Sequence, residues 1–314
     1  MEVLTIGLST FAPAIKPRIS ACLGYFDGVH LAHQALIKKT VALAEHSHSK
    51  TAMITFYPDP ASVLFPQFEK KHITSEPIKQ ELVSALGVDL MILLDFTKEM
   101  ADLCPKDFAH LLNKHFTITA LVCGFDFSYG QNGKGTAETL TNDFPDTDIS
   151  IIPPKIHLGE KISSTQIAGL IKGGKIGLAN RLLGHPFTLE GVVIPGRQKG
   201  RTIGFPTANL RVDPKQLLPK PGIYLGLISF EDQKKMAIIN LGHNPTMNKR
   251  TDLSLEAHLL DYQGDLYGKT LKLEFYHYQR SEKHFSSIEK LVAQLTHDTT
   301  QCRNFFLKRG QDMV

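Results

Sequence analysis

Gly24-Tyr25-Phe26-Asp27-Gly28-Val29-His30-Leu31-Ala32-His33 follows a short apolar run, Ser20 to Gly24, and opens a segment of helical period, Leu31 to Glu45. A buried strand that ends in a glycine turn and leads into a helix is the repeating unit of a parallel α/β sheet. Outward from this stretch the alternation recurs. Thr51 to Phe56, Asp89 to Leu94, Ala120 to Cys123 and Asp148 to Ile152 have the length and β-branched content of strands, and Pro77 to Leu86 has the period of a helix. An α/β domain is predicted over residues 1–185.

After Gly184-His185-Pro186 the pattern changes to short alternating runs: Thr188 to Ile194, Tyr224 to Ser229, Lys235 to Leu241, Ser254 to Leu260 and Thr270 to Tyr276. Closely spaced strands with Gly and Pro turns predict an antiparallel barrel or sandwich over residues 186–314. A last helix, about Ser286 to Phe306, carries Ile288, Leu291, Val292 and Leu295 at helical spacing and is expected to cover it. Two domains also fit the 314-residue length, since single cores rarely grow past roughly 250 to 300 residues.

Hydrophobic content of 42% and charged content of 21% are ordinary for globular chains and argue against disorder or a fibrous architecture. The charge of +4 is spread without blocks and suits small anionic substrates; basic residues interleaved with aromatics are missing, so nucleic acid is not an expected partner. Cys22, Cys104, Cys123 and Cys302 lie far apart without a CxxC pair, which excludes a disulfide framework or zinc site as the organising feature. No apolar stretch approaches the ~20 residues of a bilayer span, and a signal peptide is not evident, so no membrane is expected and the compartment is read as cytoplasmic.

The end of a strand at the start of a helix offers an anion backbone N–H groups and a positive helix end. Gly24, Phe26 and Asp27 belong to that turn, and His30 and His33 share the first helical turn, where each can donate a hydrogen bond to a phosphoryl oxygen. An Asp-Gly turn with two exposed histidines is the plainer alternative. Three further segments favour a shared site. Thr55 to Pro60 ends a strand with Pro58; Cys123 to Gly130 sets Phe125 and Phe127 on either side of Asp126; Lys161 to Thr165 places Ser163, Ser164 and Thr165 before a helix, more hydroxyls than capping requires.

In the second half, Gly196, Gly200 and Gly204 alternate with Arg197, Lys199 and Arg201 in a basic loop whose backbone can approach polyphosphate. Thr207 and Asn209 fall on one side of an extended segment and can share a metal ion. In Leu255 to Asp261 the alternation puts Glu256 and His258 on the face opposite Leu255, Ala257 and Leu259, so Glu256 is a candidate general base in a barrel mouth. Asn240, Asn244, Thr246 and Arg280 are candidate lining residues, each also able to hold a turn.

Taken together, Gly24 to His33, Gly124 to Gly130, Ile162 to Thr165, Gly200 to Leu210, Asn240 to Thr246 and Leu255 to Gly268 resemble the bacterial bifunctional riboflavin kinase and FAD synthetase (FMN adenylyltransferase) family along nearly the whole chain. The resemblance implies a Rossmann-like nucleotidyltransferase domain followed by a six-stranded antiparallel riboflavin kinase barrel with a carboxyl-terminal helix. It implies that ATP meets Gly24, Phe26, Asp27 and Ser163 to Thr165 in the first domain, and Gly196, Gly200, Arg201, Gly204, Thr207 and Asn209 in the second. It further implies that Thr207 and Asn209 hold Mg²⁺, that Glu256 activates riboflavin, and that His30 and His33 act on the α-phosphate of ATP. Pro58, Asp126, Phe127, Asn240 and Arg280 are the implied flavin contacts. Riboflavin, FMN and ATP are the implied substrates.

The kinase motifs depart from the family pattern only in Leu241 for Ile and Met247 for Phe, whereas three departures fall in the first domain. Ala32 stands for Gly, Ala168 for Arg and Asp59 for His. They motivate a second reading, a monofunctional riboflavin kinase with a structural first domain. The basic pI of about 8.7 motivates a third, a flavin-binding regulator.

Overall fold

The computed structural model describes residues 1–67, 70–196, 200, 203–243 and 253–311. Arg201, with Arg197, Lys199, Asn244 and Thr246, lies outside the described residues. Contacts divide the chain into two compact units, 1–72 with 76–164, and 73–75 with 165–314.

The first unit contains β1 (Glu2–Ile6), β2 (Arg18–Leu23), α1 (Leu31–Ser47), β3 (Lys50–Tyr57), α2 (Pro60–Leu64), α3 (Glu76–Ala85), β4 (Leu90–Asp95), α4 (Lys98–Ala101), α5 (Pro105–His115) and β5 (Thr117–Gly124). A hairpin of β6 (Ser128–Tyr129) and β7 (Gly135–Thr136) follows, then α6 (Leu140–Asp143), β8 (Asp148–Ile152), and a second hairpin of β9 (Ile156–His157) and β10 (Glu160–Lys161). Six strands form one parallel sheet in the order β1-β4-β3-β2-β5-β8.

Both faces of this sheet are covered, which is why its strands read as unbroken apolar runs. Alternate residues feed opposite cores. Ile19, Ala21, Leu23, Ile54, Ile92 and Leu121 pack with Phe108 and Leu112 of α5, whereas Cys22, Met53, Met91 and Val122 pack with Ile37 of α1 and Val83 of α3. Strand β1 was not anticipated. It lies at the sheet edge and buries only Ile6, so its sequence lacks the apolar run that marks the central strands.

The second unit holds most of α7 (Ser164–Lys172), then α8 (Ile176–Leu183), β11 (Phe187–Ile194), β12 (Ala208–Val212), β13 (Gly222–Phe230), β14 (Gln233–His243), β15 (Leu253–Leu259), β16 (Thr270–Arg280) and α9 (Ile288–Gln311). The strands close into a six-stranded antiparallel barrel in the order β11-β12-β15-β14-β13-β16. This is the architecture that the resemblance implied. The expected domain boundary was 185/186; β11 begins at Phe187, while the contact division falls at 164/165. By packing, α8 goes with the barrel, because Asn180 donates to the Phe275 carbonyl at 2.7 Å and accepts from the Phe187 amide at 2.8 Å.

Alternation sorts the barrel wall. Leu189, Leu255, Ala257, Leu271, Leu273 and Phe275 are buried, with polar residues between them. β13 is nearly buried throughout because α9 roofs its outer face, where Ile223, Leu225, Ile238 and Cys302 form a separate cluster with Phe305 and Phe306. β12 was anticipated only as an extended segment; with Leu210 its sole buried residue, it carries little strand signal.

Candidate active sites

In the first unit the chain leaves β2 toward β3 and β4, then returns to add β5 and β8 on the other side. Strand order therefore reverses between β2 and β5, the place where an open α/β sheet forms its crevice at the carboxyl ends of the strands. Gly24 to His33 follows β2, Thr55 to Pro60 closes β3, and Gly124 to Gly130 follows β5, so these segments stand beside one another.

The turn after β2 is tightly held. Phe26 (φ 58°), Gly28 (φ 83°) and Val29 (φ 41°) all take positive φ, although Phe26 and Val29 are fully buried side chains. Left-handed backbone at a β-branched residue persists only where the surroundings dictate it, and such positions concentrate at ligand-binding turns. A Cβ on Gly24 would approach the Phe26 ring at 3.2 Å, so that glycine lets the turn close.

His30 caps α1, its Nδ1 accepting from the His33 amide at 3.3 Å. A neutral His30 in that role carries its proton on Nε2. The two imidazoles stack with centroids 3.6 Å apart at 14°. Burial, then the neighbouring His30 and Lys79, push the His33 pKa well below 6.5, so His33 is neutral at pH 7. Its Nδ1 is buried with no hydrogen-bond partner among the described residues. Ser164 donates to the Asp27 carbonyl at 2.9 Å and so ties the serine pair to the same turn. Thr165 is exposed and belongs to the second unit.

Asp59, one of the three departures, groups with Lys70 and His72, which no sequence motif pointed to. Asp59 caps α2, accepting from the Ala61 amide at 2.7 Å, with Lys70 Nζ at 2.9 Å and His72 Nδ1 at 3.7 Å. Burial alone would raise its pKa, but Lys70, Tyr25 and the Ala61 amide outweigh burial and hold it below 3.8. Lys70 in turn lies 4.4 Å from the Tyr25 ring centroid, and the Tyr25 hydroxyl meets His72 Nδ1 at 3.2 Å. Asp59 thus holds Lys70 next to the β2 turn, while burial lowers the His72 pKa from 6.5. The run Lys70-Lys71-His72 was the available signal.

The pair of aromatics around Asp126 does not form a slot by itself. Lys161 pairs with the Asp126 carboxylate and lies 4.7 Å from the Phe125 ring centroid, while Phe127 stacks on Tyr129 at 5.8 Å and 13°. Pro58 is half-buried in the β3–α2 connection.

In the second unit, strand register gathers the candidates into a row. Asn209 on β12 pairs with Glu256 on β15, Glu256 with Asn240 on β14, Asn240 with Ile223 on β13, and Ile223 with Arg280 on β16. Residues opposite each other on neighbouring strands point to the same face. That face is the outer wall of the barrel beneath α9. The expectation that Glu256 faces a barrel mouth is corrected on this point: Leu255, Ala257 and Leu259 fill the interior, which turns Glu256 outward.

A cavity of about 300 Å³ opens there, lined by Gly200, Thr207, Asn240, Glu256 and Arg280 on the barrel side and by Leu291, Leu295 and Asp298 of α9. The Asn240 Oδ1 is buried without a partner among the described residues. Arg280 lines the cavity, but its Nε and Nη2 donate to both oxygens of Asp298 at 2.6–3.2 Å. A second cavity of about 390 Å³ is lined by Gly204, Thr207, Leu259, Tyr262, Asp265 and Tyr267. Thr207 borders both. The contribution of the turn Tyr262 to Tyr267 was not read from the sequence.

The glycines of the basic loop serve different ends. A Cβ on Gly196 would lie 2.0 Å from Asn209 Nδ2, so the Asn209 carboxamide fills the space a side chain would take. A Cβ on Gly200 would lie 2.2 Å from the Phe205 carbonyl oxygen, and Gly204 has φ 84°. The side-chain donors here, the Thr207 hydroxyl, the Asn209 carboxamide and the Glu256 carboxylate, are hard oxygen ligands of the kind that suit Mg²⁺, which takes few protein ligands and completes its shell with water and phosphate. No cluster of three or more His, Cys, Asp or Glu able to hold a metal occurs among the described residues.

A family model described as riboflavin kinase matches residues 183–306, and one described as FAD synthetase matches residues 12–166. Bifunctional riboflavin kinase/FMN adenylyltransferases of Listeria monocytogenes and Bacillus subtilis are 37% and 34% identical, covering 91% and 90% of this chain and 92% and 91% of their own lengths. A crystal structure from Streptococcus pneumoniae, titled a macrolide-efflux protein, superposes with a TM-score of 0.87 at 32% identity, covering 96% of this chain and 99% of that one. No helix among the described residues is long and apolar enough to cross a membrane. The chain belongs to the bifunctional riboflavin kinase/FMN adenylyltransferase family.

Proposed function

We propose that this chain phosphorylates riboflavin to FMN with ATP at the barrel, and adenylylates FMN to FAD with release of pyrophosphate at the α/β unit, as a cytoplasmic enzyme. The observation that carries the kinase reading is the register row in which Glu256 stands between Asn209 and Asn240 beside a cavity that Thr207 also borders. Glu256 takes the proton of the terminal ribityl hydroxyl as that oxygen attacks the γ-phosphorus of ATP and ADP departs. General-base assistance of this kind is worth about 10² to 10⁴ in rate. The flavin occupies the cavity under α9, in contact with Asn240, and the nucleotide occupies the cavity on the other side of Thr207, which Gly204 also borders. Thr207 and Asn209 hold Mg²⁺ with the phosphates; when bound, the ion neutralises charge on the transferring group.

At the first site, His30 and His33 act as neutral hydrogen-bond donors to the α-phosphate of a second ATP, and Gly24, Phe26, Asp27, Ser163 and Ser164 cradle the nucleotide. The FMN phosphate oxygen attacks the α-phosphorus, and the bond to pyrophosphate breaks. Phe127, Asp126 and Pro58 bound the flavin side. The FAD synthetase match across 12–166 favours this two-activity reading over a kinase with a merely structural first domain.

Incubation with riboflavin, ATP and Mg²⁺, with products separated by chromatography, tests the proposal. The wild type forms FMN and then FAD; Glu256→Gln lowers FMN formation by at least about 10²-fold. Undiminished FMN formation by Glu256→Gln would refute the role given to that carboxylate.

A further inference from the structure

We infer that Asp298 is a positioning residue for the kinase step: with Arg280 and Gln294 it latches α9 onto the barrel and fixes the width of the cavity in which Glu256 works. The inference rests on the kinase reading above and adds to it the part that holds the roof in place.

Leu291, Leu295 and Asp298 recur at helical spacing, and all three line the cavity, so one face of α9 forms its wall. At the end of that face Asp298 is fully buried. Its carboxylate accepts from Arg280 Nε at 3.1 and 3.2 Å, from Arg280 Nη2 at 2.6 Å and from Gln294 Nε2 at 2.9 Å. Arg280 is the last residue of β16, and its Nη1 donates to the Ser281 carbonyl at 3.0 Å. Gln294 accepts from Lys283 at 3.5 Å, which draws the β16–α9 connection into the same network.

The geometry decides what Arg280 does. A guanidinium whose fork is matched to a buried carboxylate is committed to that carboxylate and is not aimed at a substrate anion. Breaking such a pair on one side leaves a buried uncompensated charge and is strongly destabilising. Because this pair joins β16 to α9, its loss loosens α9 against the barrel, and the space that changes is the cavity. The other ion pair of α9, Arg303 with Asp261, is a contrast: its two bonds are 2.7 Å each, but its side chains are 41% and 64% exposed. Exposed pairs contribute little.

Steady-state kinetics of the full chain test the latch, with Asp298→Asn, Arg280→Lys and Arg303→Ala assayed well below their melting temperatures. Asp298→Asn keeps the shape and loses the charge; Arg280→Lys keeps the charge and loses the fork. Each is expected to raise the KM for riboflavin by about tenfold while the KM for ATP and FAD formation from added FMN stay within about twofold, and Arg303→Ala is expected to match the wild type. The double variant is expected to be no worse than the poorer single one, since both substitutions open one latch. If Asp298→Asn folds poorly, Arg280→Lys carries the same readout. A lowered melting temperature with an unchanged riboflavin KM in Arg280→Lys would overturn the latch. Because Glu256→Gln is assayed alongside, loss of FMN formation there with normal KM values in the latch variants refutes the latch alone. A wild type that forms no FMN refutes the kinase reading beneath it.

Discussion

At the scale of single residues, two sites depend on an atom that is missing or a proton that is absent. Gly196 gives its side-chain space to Asn209, so Gly196→Ala must push the carboxamide aside by more than an ångström. Kinase activity is expected to fall at least about tenfold while FAD formation from FMN is kept, as read by separate assays of the two steps. His33 is held neutral, because its folded pKa lies well below the unfolded value of 6.5. As pH falls through 6.5 the unfolded chain takes up a proton that the native chain refuses, so stability is lost on the acid side and continues to fall until the folded pKa is reached. Melting temperatures between pH 7.5 and 5.5 are expected to decline less steeply in His33→Asn than in the wild type; equal slopes would contradict the assignment. The motif made His30 and His33 neighbours on a helical turn legible. Their stacking, and the Asp59–Lys70 pairing across a loop, depend on contacts that spacing does not encode.

Elements were legible to the extent that each buries its own pattern. Alternation in β15 identified Glu256 and His258 as sharing a face, but a period of two cannot say whether that face is inside the barrel or roofed by a distant helix. Register supplied the answer, because Asn209, Glu256 and Asn240 are brought level only when three strands pair. Close strand approach also has a cost that the sequence hides. A Cβ on Gly226 would lie 2.5 Å from the Glu274 carbonyl oxygen and 2.6 Å from Ile239 Cδ1, beside a register shift in β13. Gly226→Ala is therefore expected to destabilise the barrel by about 1–3 kcal/mol in denaturant unfolding.

For the whole molecule, the two kinds of hydrophobic pattern predicted two kinds of unit, and each has its own core. The strand order that opens the crevice between β2 and β5 was not legible, since it follows from how non-adjacent strands choose partners. Two separate sites on one chain predict that the two chemistries can be removed one at a time. His30→Ala, which takes away a stacked imidazole and the cap of α1, is expected to lower FAD formation from FMN by about 10² or more and to leave FMN formation from riboflavin near the wild-type rate.

The most direct measurement is FMN formation from riboflavin and ATP, and FAD formation from FMN and ATP, on one preparation of Glu256→Gln. The account predicts that FMN formation falls by at least about 10²-fold while FAD formation is unchanged. FMN formation at the wild-type rate, or loss of both activities in a variant that still folds, would contradict it.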